Sequence, residues 1–138
     1  MRGRAFWLAF GLNAIWINVS GLPRYFLVVK PMLHDAFPDV ANIAPVSIPV
    51  LLIWGAWTVI FVFASTCLYW ICFDRYGRSM RAVSVAAVSF TLATIGLTWI
   101  GIANMGLAPM ILAYAAIPLA LAEQLVSAWI VKKSMRKN

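Results

Sequence analysis

Residues 46–72 read VSIPVLLIWGAWTVIFVFASTCLYWIC, a stretch without a single charged side chain. An α-helix of about 20 apolar residues crosses the hydrocarbon core of a bilayer, so this stretch is long enough to span one. Its apolar residues run consecutively and do not alternate with polar ones, as they would in a strand of a membrane barrel. The stretch therefore predicts a transmembrane helix, in which every backbone amide is satisfied within the segment.

Three further segments share this length and character. They are residues 5–29, 82–104 and 109–131. The chain of 138 residues is 64% hydrophobic and 11% charged, whereas a typical soluble domain is about 45–50% apolar and about 25% charged. The predicted fold is therefore all-α: one domain that forms a bundle of four transmembrane helices.

Lysine and arginine are distributed unevenly over the connections between these helices. Nine of them fall in the N-terminus, the loop 73–81 and the tail 132–138, and two, Arg24 and Lys30, fall on the opposite side. Because Lys and Arg accumulate in cytoplasmic loops, this count predicts cytoplasmic termini and an external loop 30–45, in a bacterial inner membrane. The net charge of +7 is thereby explained without a nucleic-acid partner, since the basic residues border apolar segments.

Glu123 is the one acidic residue inside a predicted span. It shares a helix face with the small residues Ala120 and Ser127, a pattern that lets helices approach closely in lipid. Glu123 is therefore expected to point into the bundle. Residues predicted to lie at the same depth on the other helices are also polar: Asn13, Ser65 and Thr91. We expect these four side chains to form an internal polar layer.

Two interpretations of this layer stay open. In the first, Glu123 is protonated or hydrogen-bonded and fixes helix packing, because a low dielectric favours the neutral form of a carboxylic acid. In the second, Glu123 exchanges protons or binds a cation, as carboxylates inside membrane transporters do.

Arg24 is the second unusual residue, since it follows Pro23 near the outer end of the first predicted helix. Its long side chain is expected to reach the external interface. There it would join His34, Asp35 and Asp39 in a candidate external site, or meet an anionic lipid head group. The chain has one histidine, so neither a metal ion nor a haem held by paired histidines is expected.

The aromatic residues are interpreted as packing or lipid-facing groups. Tyr69, Trp70 and Phe73 suit an aromatic belt at the cytoplasmic interface. Trp54, Trp57 and Phe61 are spaced at three and seven residues along the second helix, and stacking of a flat pigment or a quinone there is the less favoured interpretation. No catalytic residue and no cofactor are predicted.

These observations favour a non-enzymatic membrane protein, an accessory or structural component of a larger membrane complex or a homo-oligomer, with membrane lipids as its surroundings. One alternative is a small proton- or cation-coupled transporter that uses Glu123. Another is a membrane enzyme acting on lipid or quinone. The sequence does not identify a substrate for either alternative.

Overall fold

The computed structural model describes residues 2–40 and 46–135, and these residues form helices without any strand. Four long helices follow one another in the chain. Helix α1 consists of α-helical Arg2–Arg24, a π-helical turn Tyr25–Val29 and α-helical Lys30–Ala36, and helix α2 is Ile48–Tyr76. Helix α3 consists of α-helical Met80–Thr91, a second π-helical turn Leu92–Gly96 and α-helical Leu97–Asn104, and helix α4 is Met110–Met135.

All four helices are long and apolar enough to cross a membrane. This finding confirms that the fold is all-helical and that it contains four helices long and apolar enough to span a membrane. Positions 41–45 of the predicted external loop and 136–138 of the predicted tail lie outside the described residues.

Helix α1 continues to Ala36, beyond its predicted end at residue 29, so the first part of the predicted loop 30–45 is helical. Pro31 lies in this continuation and has no N–H to donate to the preceding turn. The turn before it is π-helical, and the Lys30 N–H bonds to the Tyr25 carbonyl, five residues back. We infer that this wider turn lets the helix pass the proline.

Short connections reverse the chain between α2 and α3 and between α3 and α4. Gly77 has a φ of +82° and Gly106 a φ of +70°, a left-handed conformation that glycine adopts without steric cost. Ser79 caps α3, because its hydroxyl accepts a hydrogen bond from the Ala82 N–H at 3.0 Å. Helices α2, α3 and α4 are therefore successively antiparallel, and the ring contacts Phe6–Trp70 and Tyr25–Trp54 show that α1 is antiparallel to α2. Arg2 and Met135, the two ends of the described chain, consequently lie at the same end of the bundle.

Burial divides the bundle into two halves, named here the termini half, which holds Arg2 and Met135, and the far half. Helix α4 packs against each of the other three helices. The buried residues of α2 all lie in the termini half: Val62, Ser65, Thr66, Tyr69 and Phe73. In the far half, Leu97–Asn104 of α3 contains no buried residue. The dense core therefore lies near the termini.

Candidate functional site

Arg24 of α1 and Glu123 of α4 form an ion pair between the two helices. The Arg24 Nε donates to Oε1 of Glu123 at 3.2 Å, and the Arg24 Nη2 lies 3.1 Å from Oε2. Two parallel contacts of this kind match the planar guanidinium to both carboxylate oxygens. The side chain of Glu123 is 8% exposed and that of Arg24 is 24% exposed. The acid inside the bundle thus has a charged partner on the neighbouring helix.

The direction of helix side chains explains how these residues meet. Side chains lean toward the N-terminus of their own helix. Because α1 and α4 are antiparallel, Arg24 reaches toward the termini half and Glu123 toward the far half. Gly21 lies beside them, and a Cβ there would be in ordinary van der Waals contact, 3.8 Å from Glu123 Oε1 and 3.9 Å from Arg24 Nη2. Trp16 adds a second contact, because its Nε1 donates to the Glu123 backbone carbonyl at 3.0 Å.

All four residues of the predicted polar layer are buried, although they do not form one connected network. Asn13 Nδ2 donates to Thr66 Oγ1 at 3.1 Å, and Ser65 bonds to a carbonyl of its own helix. The Thr91 hydroxyl and the Asn13 side-chain carbonyl have no hydrogen-bond partner among the described residues. Within that same part of the chain, no hydrogen bond joins Glu123 to the other three, since its carboxylate is taken up by the ion pair.

Tyr69 and Gln124 form a buried contact that the sequence reasoning missed. The Tyr69 hydroxyl donates to the Gln124 Oε1 at 2.7 Å, between α2 and α4. The predicted place of Tyr69 and Phe73 in an interfacial aromatic belt is wrong, because their exposures are 0% and 2%. A signal was present in the sequence, since Val62, Thr66, Tyr69 and Phe73 recur at spacings of three and four and therefore share one helix face.

The predicted external site does not form around Arg24. Its guanidinium was expected to reach the interface or meet Asp35 or Asp39, and this expectation is wrong, because it binds Glu123. The physical reason is depth: α1 continues to Ala36, so Arg24 lies about 18 Å from that end of the helix at 1.5 Å per residue. His34, Asp35 and Asp39 are exposed. No group of three metal-ligating residues occurs within residues 2–40 and 46–135.

A cavity of about 490 Å³ lies in the far half, next to the ion pair. Arg24 forms part of its wall, together with Tyr25 from the π-helical turn. Trp54 and Trp57 of α2 and Trp99 of α3 complete an aromatic lining, and the rings of Tyr25 and Trp54 pack edge to face with centroids 4.5 Å apart. The volume falls in the range of about 300–1,000 Å³ that is usual for small-molecule sites.

The described geometry defines a class of protein, a four-helix bundle of membrane-spanning character with an interhelical ion pair beside an aromatic cavity. Comparison with protein-family models, with curated proteins and with solved structures gives no match for this chain. Functional inference therefore depends on the site itself.

Proposed function

We propose that this chain is a non-enzymatic multi-pass protein of a bacterial inner membrane, which serves as an accessory component of a larger membrane assembly or as a homo-oligomer. Both termini face the cytoplasm in this proposal. The distribution of Lys and Arg, nine on the side of the termini and two on the other, supports this orientation. Reporter fusions to either terminus test it, and an external location of either one would contradict it.

The bidentate contact between Arg24 and Glu123 carries the proposal of a structural role. Each group neutralises the other, so neither presents an uncompensated charge to the low-dielectric interior. An ion pair placed between α1 and α4 also fixes how these helices pack, because any sliding would separate the charges. Glu123 is thereby explained as part of the scaffold.

Outward-facing apolar side chains support placement among lipids and neighbouring helices. On α2, Leu52 and Ile60 are each 69% exposed. Side chains of this type are stable in contact with lipid tails or with the apolar face of another membrane helix. The surface of the bundle is therefore suited to assembly within a membrane.

A charge-swap experiment tests the structural role. Glu123→Arg alone places two like charges together, and Arg24→Glu alone does the same with the opposite sign. The double variant Arg24→Glu with Glu123→Arg restores attraction and is expected to recover most of the thermal stability lost in either single variant. Recovery to no more than the level of the weaker single variant would contradict a pairing role. Native mass spectrometry of the same samples measures whether the chain forms homo-oligomers.

The second candidate function is proton- or cation-coupled transport, and the place of Arg24 in the cavity wall favours its proton-coupled form. Protonation of Glu123 would release the guanidinium, which forms part of the cavity wall. Liposomes under an imposed pH gradient distinguish the two functions, with empty liposomes as the control. Flux in the wild type that disappears in a folded Glu123→Gln variant would support transport. Equal flux in wild type, variant and empty liposomes would support the structural role.

A further inference from the structure

We propose that the aromatic cavity of the far half binds a neutral quinone, a flat ring with two carbonyl acceptors and a long apolar chain. This inference goes beyond the scaffold role proposed above. It depends on the charge balance at Arg24, the hydrogen-bond donors at the cavity and the shape of the cavity wall.

Charge balance excludes ionic ligands. The guanidinium is the charged group that the cavity wall presents, and the carboxylate of Glu123 is engaged with it, so an organic cation would meet no free counter-charge at the described wall. An anion would compete with Glu123 for the same guanidinium, and either the ligand or Glu123 would then remain as an uncompensated charge in an apolar site. The arginine is already neutralised, so a neutral ligand is favoured.

Unused donors require that this neutral ligand accept hydrogen bonds. A guanidinium carries five N–H donors, and its contacts with Glu123 engage Nε and Nη2. The Nη1 group makes no hydrogen bond to any described residue, and the side chain of Arg24 stays 24% exposed. The buried hydroxyl of Tyr25, next along the chain, also has no hydrogen-bond partner among the described residues. A purely apolar ligand would bury the Nη1 donors unpaired, which is costly.

The wall of the cavity fits a flat head with an apolar tail. Trp54, Trp57 and Trp99 supply ring faces and edges against which a conjugated ring can pack. Along α1 the wall extends from Ile17 to Leu33, a distance of about 24 Å at 1.5 Å per residue. With the carbonyl-bearing ring near Arg24, in the middle of this wall, about 14 Å remain toward Leu33 and about 10 Å toward Ile17, which accommodates the first part of an apolar chain lying along the helix.

Equilibrium dialysis against the purified full chain in nanodiscs tests the proposal, with empty nanodiscs to subtract partition into lipid. The probes are decyl-benzoquinone, decylbenzene and decanoate, which share a ten-carbon chain and differ in their head groups. We expect saturable binding of the quinone about tenfold tighter than that of decylbenzene, because only the quinone offers acceptors to Arg24. Tighter binding of decanoate than of decyl-benzoquinone would overturn the neutral-ligand proposal. Equal binding of all three probes would also overturn it, because it would show that the cavity binds apolar chains without selecting a head group.

Three variants locate the binding. The double variant Arg24→Met with Glu123→Leu removes the donors while keeping the interior neutral, and is expected to lower quinone affinity about tenfold without changing decylbenzene binding. Thr58→Phe places a ring in the cavity and is expected to weaken both probes. Tyr25→Phe removes one hydroxyl, with Tyr114→Phe on the exposed surface as its matched control. Unchanged quinone binding in the double variant and in Thr58→Phe would place the ligand elsewhere and overturn the proposal.

Discussion

The termini half and the far half of this bundle bury different chemistry. In the termini half, the aromatic rings of Tyr69 and Phe90 form one packed cluster with small buried residues such as Ala87 and Ala128. The buried polar contact beside this cluster is neutral, from Tyr69 to Gln124. The charged pair instead joins the two halves, from Arg24 in the far half to Glu123 at the middle of α4. The far half holds the cavity beside this pair, and both π-helical turns lie toward it.

This difference separates two ways of stabilising a bundle in an apolar solvent. Where lipid already solvates apolar side chains, close packing and interhelical hydrogen bonds provide the specific contacts, and the termini half is built in this way. The far half depends on electrostatic attraction around a space that its side chains leave open. We therefore expect substitutions in the two halves to have different consequences for the free energy of unfolding.

The largest expected effect comes from breaking the ion pair on one side. Glu123→Leu leaves the arginine without its counter-charge and is expected to lower the free energy of unfolding by about 3 kcal/mol, the low end for a buried pair because Arg24 is partly exposed. The double variant with Arg24→Met should unfold within about 1 kcal/mol of the wild type, since no charge is left unpaired. Unfolding titrations in mild detergent measure both values. A double variant less stable than Glu123→Leu would show that the charges stabilise the far half in some other way.

Substitutions that enlarge a side chain should distinguish the densely packed termini half from the far half with its cavity. Ala87→Leu in the termini half is expected to cost about 2 kcal/mol, because Ala87 is fully buried and its neighbours cannot yield. Thr58→Leu at the cavity wall should change stability by less than about 0.5 kcal/mol, since space is available there. Thermal denaturation of both variants provides the comparison, and similar losses at the two positions would mean that the halves pack alike.

Removing one hydroxyl tests the neutral polar contact of the termini half. Tyr69→Phe deprives Gln124 Oε1 of its donor and is expected to destabilise the fold by about 1 kcal/mol, which is typical of hydrogen bonds between membrane helices. Tyr114→Phe is the control, because Tyr114 is 69% exposed. Chemical unfolding of the two variants side by side measures the contrast, and equal stabilities would argue that the Tyr69 contact adds nothing.

The smallest expected effect compares two serines that precede helices. Ser79→Ala removes a cap from α3 and should cost about 0.5 kcal/mol, the low end for such caps because this helix start is exposed. Ser47 precedes α2 in the far half without a capping hydrogen bond from its side chain, so Ser47→Ala should leave stability unchanged. Melting temperatures of the Ser79→Ala and Ser47→Ala variants, measured in the same detergent, test this comparison. A larger loss at Ser47 would reverse the expected order.

The four helices could be predicted because crossing lipid demands a long run of apolar residues, and that demand is visible in a single sequence. The extension of α1 could not be predicted in this way. Lys30 and Pro31 look like the start of a loop, and the π-helical turn that carries the helix past them has no comparable sequence signal.

The burial of Glu123 was predictable from its polar side chain and its stripe of small neighbours, whereas its partner was not. Counting residues along the predicted helix gives the depth of each Cα atom in the membrane, and this count places Arg24 at the outer end of α1. The side chains of antiparallel helices lean in opposite directions, and this lean, together with the length of arginine, brings Arg24 to Glu123. Pairing between long side chains thus depends on direction as much as on position.

The π-helical turn Tyr25–Val29 has a geometric consequence for everything beyond it in α1. A π-helical turn holds about one residue more than an α-helical turn. In an α-helix each residue advances by about 100° around the helix axis. The last segment, Lys30–Ala36, is therefore rotated relative to the angular phase set by Asn13 and Arg24. If the turn were regular α-helix with the same number of residues, that segment would be rotated by about 100° and Leu33 would point away from the cavity that it now lines. The turn acts as an angular offset that decides which side chains at the end of α1 face inward.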